Sequence, residues 1–159
     1  MSKGIVSGML GFVVGFVTLG LVAFVAGPGV MIVEDDSRFG FDQTVETIRD
    51  SAIEAGWKVP TVHRIDEAVS QYGYQVPRVA VLELCQPQHA ARILADGDAK
   101  VVTSLMPCRV SVYETADGRV VVSRMNTGLL ARMFGGVVTE VMTEATQENE
   151  EILAAVIGR

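Results

Sequence analysis

RVSVYETADGRVVVSRM, residues 109–125, alternates along two arms that flank Asp117-Gly118. Successive side chains of a strand point to opposite faces, so a period of two marks strands over 109–114 and 120–125. An Asp-Gly pair between two such runs is a strong hairpin signal, because glycine takes the positive φ that a tight turn demands. An antiparallel pair therefore stands in the middle of the chain, and the rest is read outward from it.

Upstream, residues 79–85 form an apolar strand, and Pro87 suits the first turn of a helix running to Leu94. Residues 57–65 read as a strand disturbed by Pro60, which fits a sheet edge. Residues 66–72 read as a short helix closed by Gly73. Residues 30–33 are a short β-rich run. A helix opens at 41–42 with Asp42 as its N-cap, carries Val45, Ile48 and Ala52 on one face, and stops at Gly56. Downstream the chain is helical, with Val137, Val141, Ala145 and Ile152 on one face and Glu144, Glu148, Glu150 and Glu151 marking the solvated side. Strands in the middle with helices before and after predict an α+β fold, an antiparallel sheet packed on helices. Its second face would be covered by a partner, by loops or by water.

The 159 residues are 49% apolar with a mean hydropathy of +0.35, high for one domain of this size. The excess lies at the start, where no charged residue occurs between Lys3 and Glu34. As a helix, residues 5–26 would reach roughly 33 Å, against a hydrocarbon core of ~30 Å. The expectation is a single transmembrane anchor over 1–27 and one domain over 28–159. A cleaved signal peptide fits less well: cutting after Ala26 puts Phe24 at −3, and cutting after Gly27 puts Pro28 at +1. Lys3 precedes the run while Glu34, Asp35 and Asp36 follow it, so the N-terminus is expected in the cytoplasm and the domain outside it, in the periplasm or on the outer face of the cell membrane. Gly4, Gly8, Gly11 and Gly15 share one side of the helix and predict helix association, as a homo-oligomer or as a subunit of a membrane complex.

Beyond Lys3 the chain carries twelve basic and nineteen acidic residues, a net charge of −7, which argues against nucleic acid as a partner. Nucleotide loop, zinc-protease motif, nucleophile elbow and calcium loop are all missing from the sequence. Asp66 and Glu67 adjoin each other and point different ways, so they make no acid/base pair. No catalytic residue is indicated, and no cofactor is required. The candidate site is instead built on two cysteines, in Leu84-Cys85-Gln86-Pro87-Gln88-His89 and Met106-Pro107-Cys108-Arg109. If their strands are antiparallel neighbours, the end of one lies beside the start of the other and the thiols meet. Three readings stay open: a structural disulfide worth about 3 kcal/mol, a reversible dithiol or soft-ligand site with Cys85 near a helix N-terminus, and two unconnected buried thiols. Cys85, Cys108 and His89 fall one ligand short of a closed zinc site, which His63 would complete only by chance of folding. Met106, Met125, Met133 and Met142 read as core filler.

From about residue 41 to 152 the chain resembles the domain of unknown function 302 family. The resemblance rests on Phe41-Asp42-Gln43-Thr44-Val45, on Cys85-Gln86-Pro87-Gln88-His89-Ala90, on Pro107-Cys108-Arg109-Val110 followed by Val112-Tyr113-Glu114, and on the run from Gly128 to Gly136. It implies a curved antiparallel sheet wrapped on a long C-terminal helix, and it implies no activity. Gln86 stands where members of that family usually have Asn, so no amide-specific contact at this turn is carried over. The expected function is a membrane-anchored, non-catalytic binding or assembly subunit. The alternative is a redox, sulfur- or metal-handling protein that uses Cys85 and Cys108 as a reversible dithiol.

Overall fold

The computed structural model describes residues 3–158, with 3–10, 23 and 28 described by their backbone alone. The chain divides into two compact units, Met1–Met31 and Ile32–Arg159. The first is one helix, α1 (Lys3–Met31). Apart from Thr18 its described side chains are apolar, and most are exposed; Phe12 and Phe16 stack with ring centroids 6.4 Å apart, and nothing lies within 4 Å of a Cβ built on Gly11 or Gly15. Gly4 and Gly8 of the expected association face lie outside the residues described in full.

Among the described residues no helix is long and apolar enough to cross a membrane. The transmembrane anchor expected over 1–27 is corrected accordingly, and with it the single-pass placement of an extracytoplasmic domain.

The second unit is the α+β domain. Its elements are β1 (Ile32–Asp36), α2 (Phe41–Glu54), β2 (Val62–Arg64), α3 (Ile65–Ser70), β3 (Val79–Leu84), α4 (Pro87–Ala95), a 3-10 helix (Ala99–Leu105), β4 (Cys108–Glu114), β5 (Val120–Met125), α5 (Thr127–Ala131) and α6 (Gly136–Leu153). The five strands form one sheet in the order β1-β5-β4-β3-β2, antiparallel throughout. The expected hairpin joins β4 to β5, and Gly118 takes φ 85° where the turn requires a positive value.

Some boundaries differ from the expectation for local reasons. Gly40, not Asp42, caps α2; Asp42 sits in the first turn, where its charge suits the helix dipole and pairs with Arg78. β2 is three residues long, not nine, because Pro60 has no N–H to donate to the ladder. Lys58 nevertheless exchanges backbone hydrogen bonds with Cys85, both at 2.8 Å, so the chain touches the sheet again just before the edge strand.

One face of the sheet is the core. Ala80, Leu82 and Leu84 of β3, Val110 and Val112 of β4 and Val122 of β5 are fully buried there, against Ile48 and Ala52 of α2 and Ala145, Ile152 and Leu153 of α6. The opposite face carries Val81, Glu83, Ser111 and Ser123, all half-buried. A second cluster, with Ile93, Val102, Val138, Val141 and Met142, joins α4, the 3-10 helix and the start of α6.

Arg124 interrupts the core face. Its register partners are Val110 and Val33, its side chain is 2% exposed, and its guanidinium is gripped by Glu150 of α6 through two hydrogen bonds of 2.7 and 2.6 Å and by Asp35 of β1 at 2.6 Å. Burial by itself would lower the Arg124 pKa; the hydrogen bonds from Glu150 and Asp35 outweigh it and raise it. Removing the guanidinium leaves two half-buried carboxylates facing an empty space. Arg124→Ala is therefore expected to cost about 3 kcal/mol in denaturant unfolding, and a loss below about 1 kcal/mol would contradict this assignment.

Candidate functional site

The antiparallel register of β3 and β4 sets Leu84 opposite Cys108. Cys85 is the next residue along, just beyond the end of β3, where its backbone is held by Lys58. Both cysteines are free and half-buried, and both line one small, half-open apolar pocket with a cavity volume of about 30 Å³, lined also by Trp57, His89, Met106 and Met142. Burial pushes the Cys108 thiol up to about 11, and the neighbouring Cys85 pushes in the same direction. Cys108 therefore keeps its proton at neutral pH.

α4 positions His89. Pro87 occupies the first helical position, and the Gln86 side chain accepts the Gln88 N–H at 3.2 Å, which fixes the turn that follows Cys85. His89, in the first turn, lines the pocket with its side chain 13% exposed. Its Nε2 lies 3.0 Å from Oε1 of Glu148 on α6. The other oxygen of Glu148 accepts the Trp57 indole N–H at 2.9 Å, and the Trp57 ring meets the imidazole edge-on, centroids 6.2 Å apart at 70°. The carboxylate is thus shared between an indole and an imidazole that form two walls of one pocket. Nδ1 of His89 is buried without a hydrogen-bond partner. Glu144 Oε2, at 3.8 Å, is beyond hydrogen-bonding range and is itself paired with Arg92.

The structure thus brings Cys85, Cys108 and His89 to one place. Among the described residues no group of three or more His, Cys, Asp and Glu side chains could hold a metal ion, so the three do not form a metal centre of that kind. His63 stands elsewhere, 3.2 Å from Glu83. Met142 is buried as core filler and Met106 walls the pocket, but Met133 is 80% exposed and does not fill the core. Two residues of the site, Trp57 and Glu148, were not singled out from the sequence. Glu148 counted as part of the solvated side of the last helix. The signal against that was present: Val141, Ala145, Glu148 and Ile152 follow the 4, 3, 4 spacing of one helix face, so Glu148 belongs to the core-facing stripe.

Cys108 also makes a sign-definite prediction about stability. The unfolded chain releases this proton near 9, whereas the folded chain holds it to about 11. Its contribution to stability is complete below pH 9 and is lost as pH rises towards 11, to a total of about 3 kcal/mol. Denaturant unfolding between pH 8 and 11 should show that decline in the reduced protein, and Cys108→Ser should lack it; equal slopes in the two proteins would refute the burial assigned to the thiol.

The solved structure of an uncharacterized conserved DUF302 protein from Bacillus stearothermophilus resembles this chain with a TM-score of 0.71 at 22% identity, covering 80% of this chain and 98% of the other. That likeness establishes the fold. No curated protein matches. The family model for the domain of unknown function DUF302 matches residues 33–157, nearly the whole second unit, and the chain belongs to that family.

Proposed function

We propose that the domain handles sulfur through a reversible dithiol, exchanging disulfides between a small partner molecule and the Cys85–Cys108 pair. The observation that carries this reading is the convergence of two free thiols from adjacent strands on one apolar pocket. An offset of one residue between neighbouring strands falls within the Cα separations that disulfides span, roughly 4.4–6.8 Å. The two thiols are not equivalent. Cys108 is held as a neutral thiol, so Cys85, beside the start of α4, is the attacking sulfur and Cys108 the resolving one.

The exchange runs in two displacements. The Cys85 sulfur attacks one sulfur of a low-molecular-weight disulfide; the substrate S–S bond breaks, and one thiol leaves with the bonding pair and a proton. Cys108 then attacks the Cys85 sulfur of the mixed disulfide and releases the second thiol. The protein pair is oxidised by two electrons and the substrate disulfide is reduced to two thiols.

Reduced protein treated with a small disulfide such as oxidised β-mercaptoethanol should lose 2 Da, and Cys108→Ser should stop at the mixed disulfide, which intact-mass measurement distinguishes. Recovery of only unreacted folded protein, or of two independent mixed disulfides, would sink the reading.

Assembly is a second reading, favoured by one observation. The described part of α1 exposes Phe12, Phe16 and Phe24 at 74%, 71% and 82%, far more apolar surface than a lone helix leaves uncovered. A second copy packing along Gly11 and Gly15 would cover part of it, on the side where Phe12 flanks the glycines. Sedimentation of the full chain should then show an oligomer that Gly11→Leu with Gly15→Leu dissociates, whereas a monomer at every concentration would rule it out.

A further inference from the structure

We propose that His89 is the proton acceptor of Cys85, and that Glu148 and Trp57 are positioning residues that hold its imidazole for that task. The inference rests on the dithiol reading for its purpose but on separate geometry for its substance.

A neutral imidazole has one N–H donor and one bare acceptor. With Nε2 facing the Glu148 carboxylate at 3.0 Å, the proton belongs on Nε2, because a carboxylate accepts and does not donate. Nδ1 is then a bare lone pair. It is buried, it has no hydrogen-bond partner, and it belongs to a residue that lines the pocket of both thiols. A buried acceptor left unsatisfied costs stability, and a catalytic role is one reason for a protein to keep such a group. Besides the Gln86 amide and the Trp57 N–H, which Glu148 takes, the donors among the side chains that line this pocket are the S–H groups of Cys85 and Cys108. Cys85 follows β3 directly and precedes His89 by one turn of chain, whereas Cys108 is held neutral by its own burial.

The charged and titratable groups around the ring come from each element packed on it: Glu148 and Glu144 from α6, Arg92 from α4, and Cys85 and Cys108 from the ends of β3 and β4. Arg92 engages Glu144 and so draws that carboxylate away from Nδ1. Glu148 is held in turn by the Trp57 N–H. A nucleophile, a base and a carboxylate that orients the base are the parts by which thiols are activated on unrelated folds. In the exchange, the Cys85 proton moves to Nδ1 as the sulfur attacks, and the imidazolium, stabilised by Glu148, returns that proton to the departing thiol.

Alkylation of Cys85 by iodoacetamide isolates this step, since it needs neither Cys108 nor a disulfide. In the Cys108→Ser background Cys85 is the chain's remaining thiol. At pH 7, His89→Gln should slow its alkylation at least tenfold, and the two proteins should converge by pH 10, where hydroxide takes the proton without help. Glu148→Gln and Trp57→Phe, which keep the imidazole, should slow it by a smaller factor with the same convergence, and they carry the test if His89→Gln fails to fold by circular dichroism. Equal rates at pH 7 in the His89 and Glu148 variants, or a deficit that persists unchanged at pH 10, would overturn the proposal. If no bridge forms in the intact pair while Cys85 alkylation still depends on His89, the exchange reading falls and this one stands.

Discussion

The Arg124 guanidinium, on the apolar face of the sheet, sits between a carboxylate of β1 and a carboxylate of α6. Each partner charge loses part of its hydration, so the cluster adds little net stability beyond what apolar side chains would give. What it adds is position. Glu150 meets the guanidinium through both oxygens, and that geometry tolerates neither a shift of α6 along the sheet nor a rotation about its own axis. With Glu150 fixed, Glu148 lies over Trp57 and His89. A helix displaced by one turn would take that carboxylate away from the pocket and leave the Trp57 indole N–H without its partner. The arrangement at the two cysteines therefore depends on an ion cluster that touches neither of them.

The same packing divides the labour between the thiols. Cys108 starts β4 on the core face, opposite a fully buried Leu84, and its proton is held by the cost of burying a thiolate. Cys85 lies one residue past the strand end, where the chain turns into α4. The two cysteines of one chain thus stand in different places, one on the core face of the sheet and one at the turn into α4. On the dithiol reading proposed above, the pair reacts first at one sulfur and closes at the other, which keeps the order of events fixed.

The parts of this fold that were legible in the sequence are those where local chemistry and tertiary packing agree. Asp117-Gly118 between alternating arms gave the hairpin, Pro87 the start of α4, and the spacing of Val141, Ala145 and Ile152 the buried face of α6. The meeting of Cys85 with Cys108 depended on strand neighbours that local patterns leave open, and the ladder supplied them. The 3-10 helix over Ala99–Leu105 and the short α5 were unreadable because neither is long enough to show a period. Asp42 looked like a cap by residue type but answers to Arg78. Glu148 was misread for the reverse reason: glutamate on a terminal helix suggests solvent, and only the indole and imidazole brought to it by Trp57 and α4 give it a place in the site. For the N-terminal run, composition alone predicted a membrane anchor, which the described residues do not provide.

Trp57 is the chain's single tryptophan, and it forms a wall of the pocket that holds both thiols. Its emission therefore reports on the pair directly. Equilibrated against a graded series of reduced and oxidised dithiothreitol, the folded protein should show one reversible two-electron transition in Trp57 fluorescence, and Cys108→Ser should show none. Emission that stays flat across the series in the intact protein, with both thiols still titrating as free, would contradict the account.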